Sequence, residues 1–131
     1  MPLFRAQIFG SQLFTNSSTG DSTTTSTTTW QNKCTITTTT VPPGTYMLRW
    51  TIKGKFSSSD KEYEFRVIDG ASTQLAYSQF RTPLASIEVP WTSSQIFVLT
   101  ENTYTYTLQF KCIDAGTVTV SEANLEFWRL E

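Results

Sequence analysis

From Thr103 to Cys112 the chain reads Thr-Tyr-Thr-Tyr-Thr-Leu-Gln-Phe-Lys-Cys, polar and apolar in unbroken alternation. Successive side chains of a β-strand point to opposite faces, so a period of two describes a strand with one wet and one dry face. The pattern recurs at Thr45 to Lys53, where Tyr46, Leu48, Trp50 and Ile52 share a face. It recurs again where Tyr63, Phe65 and Val67 alternate with Glu62, Glu64 and Arg66. Threonine supplies most of the wet side. No helical period outlasts a turn and no segment repeats. The chain is therefore all-β, and about eight or nine short strands predict an antiparallel β-sandwich of jelly-roll type.

The 131 residues suit one domain, which at this size buries roughly two thirds of its unfolded surface. The dry faces offer Trp30, Tyr46, Leu48, Trp50, Tyr63, Phe65, Tyr106, Leu108 and Phe110, large groups that fill the space between two sheets. Ten basic and eleven acidic residues are dispersed without a basic stripe, which argues against nucleic acid as a partner. No apolar run approaches membrane-spanning length. Arg5, Gln7 and Gln12 interrupt the first 14 residues, so no signal sequence is read there and synthesis in a cytoplasm is expected. Cys34 and Cys112 fall on inward faces and are expected as buried free thiols. A bridge between their strands is the alternative, and only geometry decides it.

Three stretches are distinguished. Residues 1–14 form an apolar arm or edge strand. Residues 15–29, nearly all Thr, Ser, Asn, Gly or Asp, have no apolar side chains to offset the entropy of ordering and are expected as a mobile loop, an edge strand near its end being the alternative. Residues 30–131 hold the jelly roll. Within them Trp30 and Tyr77 are expected to face inward, and Pro90 to end a short strand from Ser86. Gln95 to Leu99 and Thr103 to Cys112 are expected to form a hairpin across Glu101-Asn102. Val118 and Val120 are even-numbered whereas Leu125 and Phe127 are odd, so a β-bulge is expected between Ser121 and Asn124.

Catalytic chemistry has few candidates. The absence of histidine excludes histidine-based triads and most zinc sites, and no cofactor is implied. Asp60, Glu62 and Glu64 are the one local acid cluster, but their alternation with core aromatics is that of a strand's outer face. Asp60, Asp69 and Asp114 are oxygen donors for calcium in principle, without a spacing that links them. Asn16-Ser17-Ser18 fits a glycosylation acceptor. For a surface glycan, Trp91 after Pro90 and Tyr104 at a strand end are the aromatic candidates. Trp91 as a plug at the end of the sandwich is the competing reading. Phe4, Ile8, Phe9 and Phe14 of the arm are candidates for docking on a partner, as is Trp128 for self-contact.

Two stretches carry a family resemblance. Val41-Pro42-Pro43-Gly44-Thr45-Tyr46-Met47-Leu48-Arg49-Trp50 resembles the turn-into-strand segment of small jelly-roll accessory proteins of tailed-phage virions. Ala123-Asn124-Leu125-Glu126-Phe127-Trp128-Arg129 is similar to the terminal strand of that group. The likeness runs from about Trp30 to the C-terminus, with Thr100-Glu101-Asn102 standing where the group usually has a glycine turn. It implies a non-enzymatic cement or decoration protein on the outer surface of a viral capsid. Its partners would be the major capsid protein and copies of itself, a homotrimer being favoured. A carbohydrate- or receptor-binding module of a fibre or appendage is the alternative.

Overall fold

The alternation becomes eight strands in the computed structural model, which describes residues 11–131. They are β1 (Ser11–Thr24), β2 (Gln31–Thr37), β3 (Gly44–Phe56), β4 (Lys61–Asp69), β5 (Gln74–Thr82), β6 (Val89–Leu99), β7 (Thr105–Cys112) and β8 (Val118–Arg129). The first sheet has the order β1-β8-β3-β6 and the second β2-β7-β4-β5, with every pairing antiparallel. Each connection except β4 to β5 carries the chain from one sheet to the other. That winding is the jelly roll expected from the strand pattern.

The dry faces meet between the sheets. Tyr46, Leu48, Trp50 and Ile52 of β3 face Tyr63, Phe65 and Val67 of β4 and Tyr106, Leu108 and Phe110 of β7, all at most 2% exposed. Cys34 and Cys112 are buried in this layer as free thiols, and burial raises the pKa of both. The expected bulge in β8 is present. Lys53 faces Glu122 and Gly54 faces Val120, so Ser121 is the extra residue. It brings Val118, Val120, Ala123, Leu125 and Phe127 all into the core.

Five local expectations need correction. Most of the Thr/Ser tract is strand and not loop: Thr15 to Thr24 belong to β1, which pairs along β8, and only residues 25–29 lie outside a strand. Backbone hydrogen bonds to a ready strand edge order it, where its side chains could not. Its start is held by Leu13 and Phe14 against the core, and its length by β2. Asn16 Nδ2 donates to Thr35 O at 2.6 Å, and Lys33 Nζ donates to Gly20 O at 2.6 Å and Ser22 Oγ at 3.0 Å. The Gln95–Cys112 region is not a hairpin, since β6 pairs with β3 and β7 with β2 and β4. Both strands bury one face, and the link between them crosses the sandwich so that those faces meet. Trp30 lies on the outer face of the second sheet, with Arg66 Cζ and Lys111 Nζ at 4.2 and 4.8 Å from its ring centroid. Cation–π attraction gives that large ring an amphipathic berth outside the core. Tyr77 faces outward because a register shift near Leu75 reverses the parity of β5. Pro90 lies inside β6, opposite Lys53, on an edge strand where a missing amide is tolerated.

Gly54 marks a close approach between the sheets. Tyr63 Oη donates to its carbonyl at 3.2 Å, and a Cβ there would lie 2.6 Å from Phe65 Cζ. Overpacking of a full core costs about 1–3 kcal/mol. Gly54→Ala is therefore expected to lower the unfolding free energy by an amount in that range, read as a lower urea midpoint. An unchanged midpoint would show that the Phe65 ring can yield.

Candidate functional site

The two long sides of the sandwich differ. Between β1 and β2 the hydrogen bonds of Asn16 and Lys33 lace the sheets together. Between β5 and β6 the sheets part, and at the Asp69 end they leave a cleft of about 420 Å³. That falls within the roughly 300–1,000 Å³ typical of small-molecule sites.

The cleft is built by two turns. Asp69-Gly70 closes the β4–β5 hairpin, where Asp69 Oδ1 accepts from the amides of Ala71 and Thr73, both at 2.9 Å. An aspartate that caps its own turn is held in one place, here at the wall of the cleft. The second turn is the crossing from β6 to β7. Val41 and Asn102 exchange backbone hydrogen bonds at 2.9 and 3.3 Å, and Tyr104 N donates to Thr38 Oγ1 at 2.9 Å. Tyr104 Oη donates to Thr100 O at 2.8 Å, which fixes the ring at the cleft wall. Phe97, Leu75 and Leu99 are the other half-buried apolar walls, and Asn102 and Thr103 lie at the exposed rim. Tyr106 lies deepest, stacked on Phe97 with centroids 5.6 Å apart. Burial first, then the neighbouring Tyr104 and Asp69, push its pKa up to about 12. Its phenol thus stays protonated across the physiological range.

The structure separates the residues proposed from the sequence. Tyr104 lines the cleft. Trp91 does not join it. Leu99 lies eight steps along β6 from Trp91, a span of roughly 26 Å at about 3.3 Å per residue. Its ring packs edge-on against Trp50 at 5.4 Å and parallel to Phe65 at 6.3 Å, so it plugs the far end of the core. Phe14 meets Phe127 at 6.2 Å within its own domain. Trp128 is half-buried on the outer face of β8, across from Met47 of β3. Phe4, Ile8 and Phe9 lie outside the described residues.

The acid cluster is a set of ion pairs. Glu64 lies 2.9 Å from Lys111 Nζ and accepts from Tyr77 Oη, Glu62 pairs with Arg81, and Asp60 lies 2.8 Å from Arg81. Asp114 Oδ2 accepts from Glu62 N at 2.8 Å. Among the described residues no three acidic or cysteine side chains gather as a metal site. Asn16 of the acceptor pattern is in a strand with its amide hydrogen-bonded. Phe97 and Leu75 were not legible as site residues, and Asp69 was singled out only as an oxygen donor for calcium. The available signal was that Asp69-Gly70 and Glu101-Asn102 are both turns, which the topology brings to one end.

No family model matches the chain, and no curated protein matches its sequence. Solved structures do. One described as the EclA C-terminal domain, a sugar-binding protein, superposes with a TM-score of 0.52 at 14% identity, over 82% of this chain and 78% of that one. The Eiger TNF of S. frugiperda superposes with a TM-score of 0.49 at 10% identity, over 69% of this chain and 61% of that one. At these identities the likeness to the sugar-binding domain is one of fold.

A phenol that keeps its proton longer folded than unfolded stabilises the fold fully below its unfolded pKa and loses that contribution as pH rises through the folded one. Tyr63 and Tyr106 both move from 10.0 to about 12. Stability is therefore expected to fall between pH 10 and 12, and to fall less steeply in Tyr106→Phe. Equal slopes in urea titrations of the two proteins would contradict this.

Proposed function

We propose that this chain is a non-enzymatic jelly-roll domain that binds neutral carbohydrate in the cleft between β5 and β6. The observation that carries the reading is the pairing of the Tyr104 and Phe97 walls with a fixed carboxylate, Asp69, in one concave site. A pyranose ring has an apolar C–H face and a rim of hydroxyls. The aromatic walls suit the face, and the Asp69 carboxylate and Asn102 amide suit the rim. Lys and Arg are absent from the lining, so an anionic sugar would meet Asp69 without a compensating cation. The sugar-binding description of the EclA domain supports the same reading.

Hydrolysis is disfavoured by the chemistry of the cleft. A glycosidase needs two carboxyl groups flanking the bond, and the cleft is lined by one. The capsid-cement reading draws no support of its own from either structural neighbour. Sugar binding on a fibre or appendage remains compatible with the phage resemblance.

A glycan array followed by calorimetry tests the reading. Binding to neutral glycans is expected. Tyr104→Ala and Asp69→Asn should each weaken it by tenfold or more, which is about 1.4 kcal/mol. Wild-type protein that binds no neutral glycan, or variants that bind unchanged, would overturn it. Trp91→Ala provides the contrast. It should cost about 2–3 kcal/mol of stability, below the roughly 3–5 kcal/mol of a fully buried ring, and leave the affinity of the folded protein unchanged.

A further inference from the structure

We infer that β6 is a self-association edge, pairing antiparallel with β6 of a second copy to join two first sheets into one. Four strands end the two sheets: β1, β6, β2 and β5. β1 has two register irregularities against β8, carries Asp21, and is laced to β2. β2 carries Lys33, whose ammonium is bound to β1. β5 carries Arg81 and has a register shift of its own. Charges and bulges of this kind are how natural sheets discourage edge-to-edge contact.

β6 lacks these guards. Its register with β3 is unbroken from Val89 to Leu99, and its one proline is at the second position. Among the described residues its sole strand partner is β3, so every second residue turns its amide and carbonyl to an open edge. Toward the Leu99 end the exposed side chains of β6 are apolar, Ile96 being 61% and Val98 86% accessible, whereas Thr92 and Ser94 nearer its start are polar and uncharged. Ile96 lies opposite Met47, which lies opposite Trp128, so an apolar row crosses three strands of the outer face.

Charge selects the occupant. A strand paired antiparallel with its own copy brings like side chains near each other, and a charged edge then repels itself. β6 contains no Asp, Glu, Lys or Arg, so its own copy meets no such repulsion. A charged peptide, by contrast, would find no counter-charge on the strand. Across the two-fold axis Ile96 and Val98 of the two copies shield one another. Phe97 and Leu99 of the same strand face the cleft, so the dimer would place two clefts on either side of its joint.

The inference stands on the sheet edge and is independent of what the cleft binds. Light scattering on the full chain over a range of concentrations tests it. A dimer is expected for the wild type, a monomer for the Ile96→Lys, Val98→Lys double variant, and an unchanged dimer for Leu84→Lys, which alters another exposed apolar residue (60%) away from β6. Hydrogen exchange on the wild type gives a reading that no variant can spoil. Amides of β6 should gain protection as concentration rises. A wild-type monomer, a trimer, a mass indifferent to the two lysines, or β6 protection indifferent to concentration would each overturn the pairing. Cleft affinity per chain should be the same in monomer and dimer, which separates this test from that of sugar binding.

Discussion

Phe127 is the point on which the site end of the molecule depends. Its ring packs on Phe14 of β1 at 6.2 Å, Tyr46 of β3 at 5.1 Å and Tyr106 of β7 at 6.0 Å, and Tyr106 passes the contact to Phe97 of β6. One run of rings thus ties together five strands from both sheets and ends in the cleft wall. A second cluster, Trp50, Trp91, Phe65, Phe80, Tyr63 and Phe56, closes the opposite end. Aromatic pairs of this kind contribute about 0.5–1.5 kcal/mol each beyond the area they bury. Two clusters at two ends leave the cleft beside the first of them, with Tyr106 of the core at its floor.

The wet faces have an order of their own. Threonines meet across neighbouring strands at Thr35–Thr107, Thr37–Thr105 and Thr51–Thr92, with hydroxyls 3.1 to 3.2 Å apart. Cross-strand hydroxyl pairs are a recognised source of sheet stability. The abundance of threonine therefore needs no ligand to explain it. On the second sheet the outer face is tighter still. Glu64, only 7% exposed, is held by Lys111 and Tyr77, and Trp30 spreads over Lys111 and Arg66. A carboxylate so engaged is a poor general acid or base.

What the sequence revealed follows from this division. Alternation is a property of single strands, so Tyr46 to Ile52, Tyr63 to Val67 and Tyr106 to Phe110 were legible as core without any coordinates. The Ser121 bulge was legible too, because a change of parity between Val120 and Leu125 has one geometric remedy. Pairing partners were not legible. Nothing local in Gln95 to Cys112 says that its two strands belong to opposite sheets. β1 was obscured for a related reason, since its order comes from hydrogen bonds to β8 and from Lys33, contacts far away in sequence. The cleft suffers most, because Asp69, Leu75, Phe97 and Tyr104 share a wall only after the chain has crossed the sandwich repeatedly. Trp91 had the better local credentials, and its neighbour Pro90 suggested a loop. An edge strand tolerates that proline, and Trp91 is thereby free to turn inward onto Trp50.

The asymmetry between the two sides of the sandwich links the site to the exposed edge. Where β1 and β2 meet, polar side chains bridge the sheets and the strands carry charge. Among the described residues no such bridge joins β5 and β6, and one lack has two consequences. The sheets can part enough to leave the cleft at Asp69, and β6 keeps an uncharged outer edge with Ile96 and Val98 beside it. A domain under pressure only to remain a soluble monomer would gain from a lysine at position 98, where an 86% exposed valine contributes little to the core. A valine at that position suits a surface that is covered when the protein works. Two weak sugar sites on one rigid dimer would reinforce each other on a glycan-coated surface, since the second contact forms at high effective concentration. Cleft and edge are then two parts of one device, both arising where the jelly roll leaves its sheets unlaced.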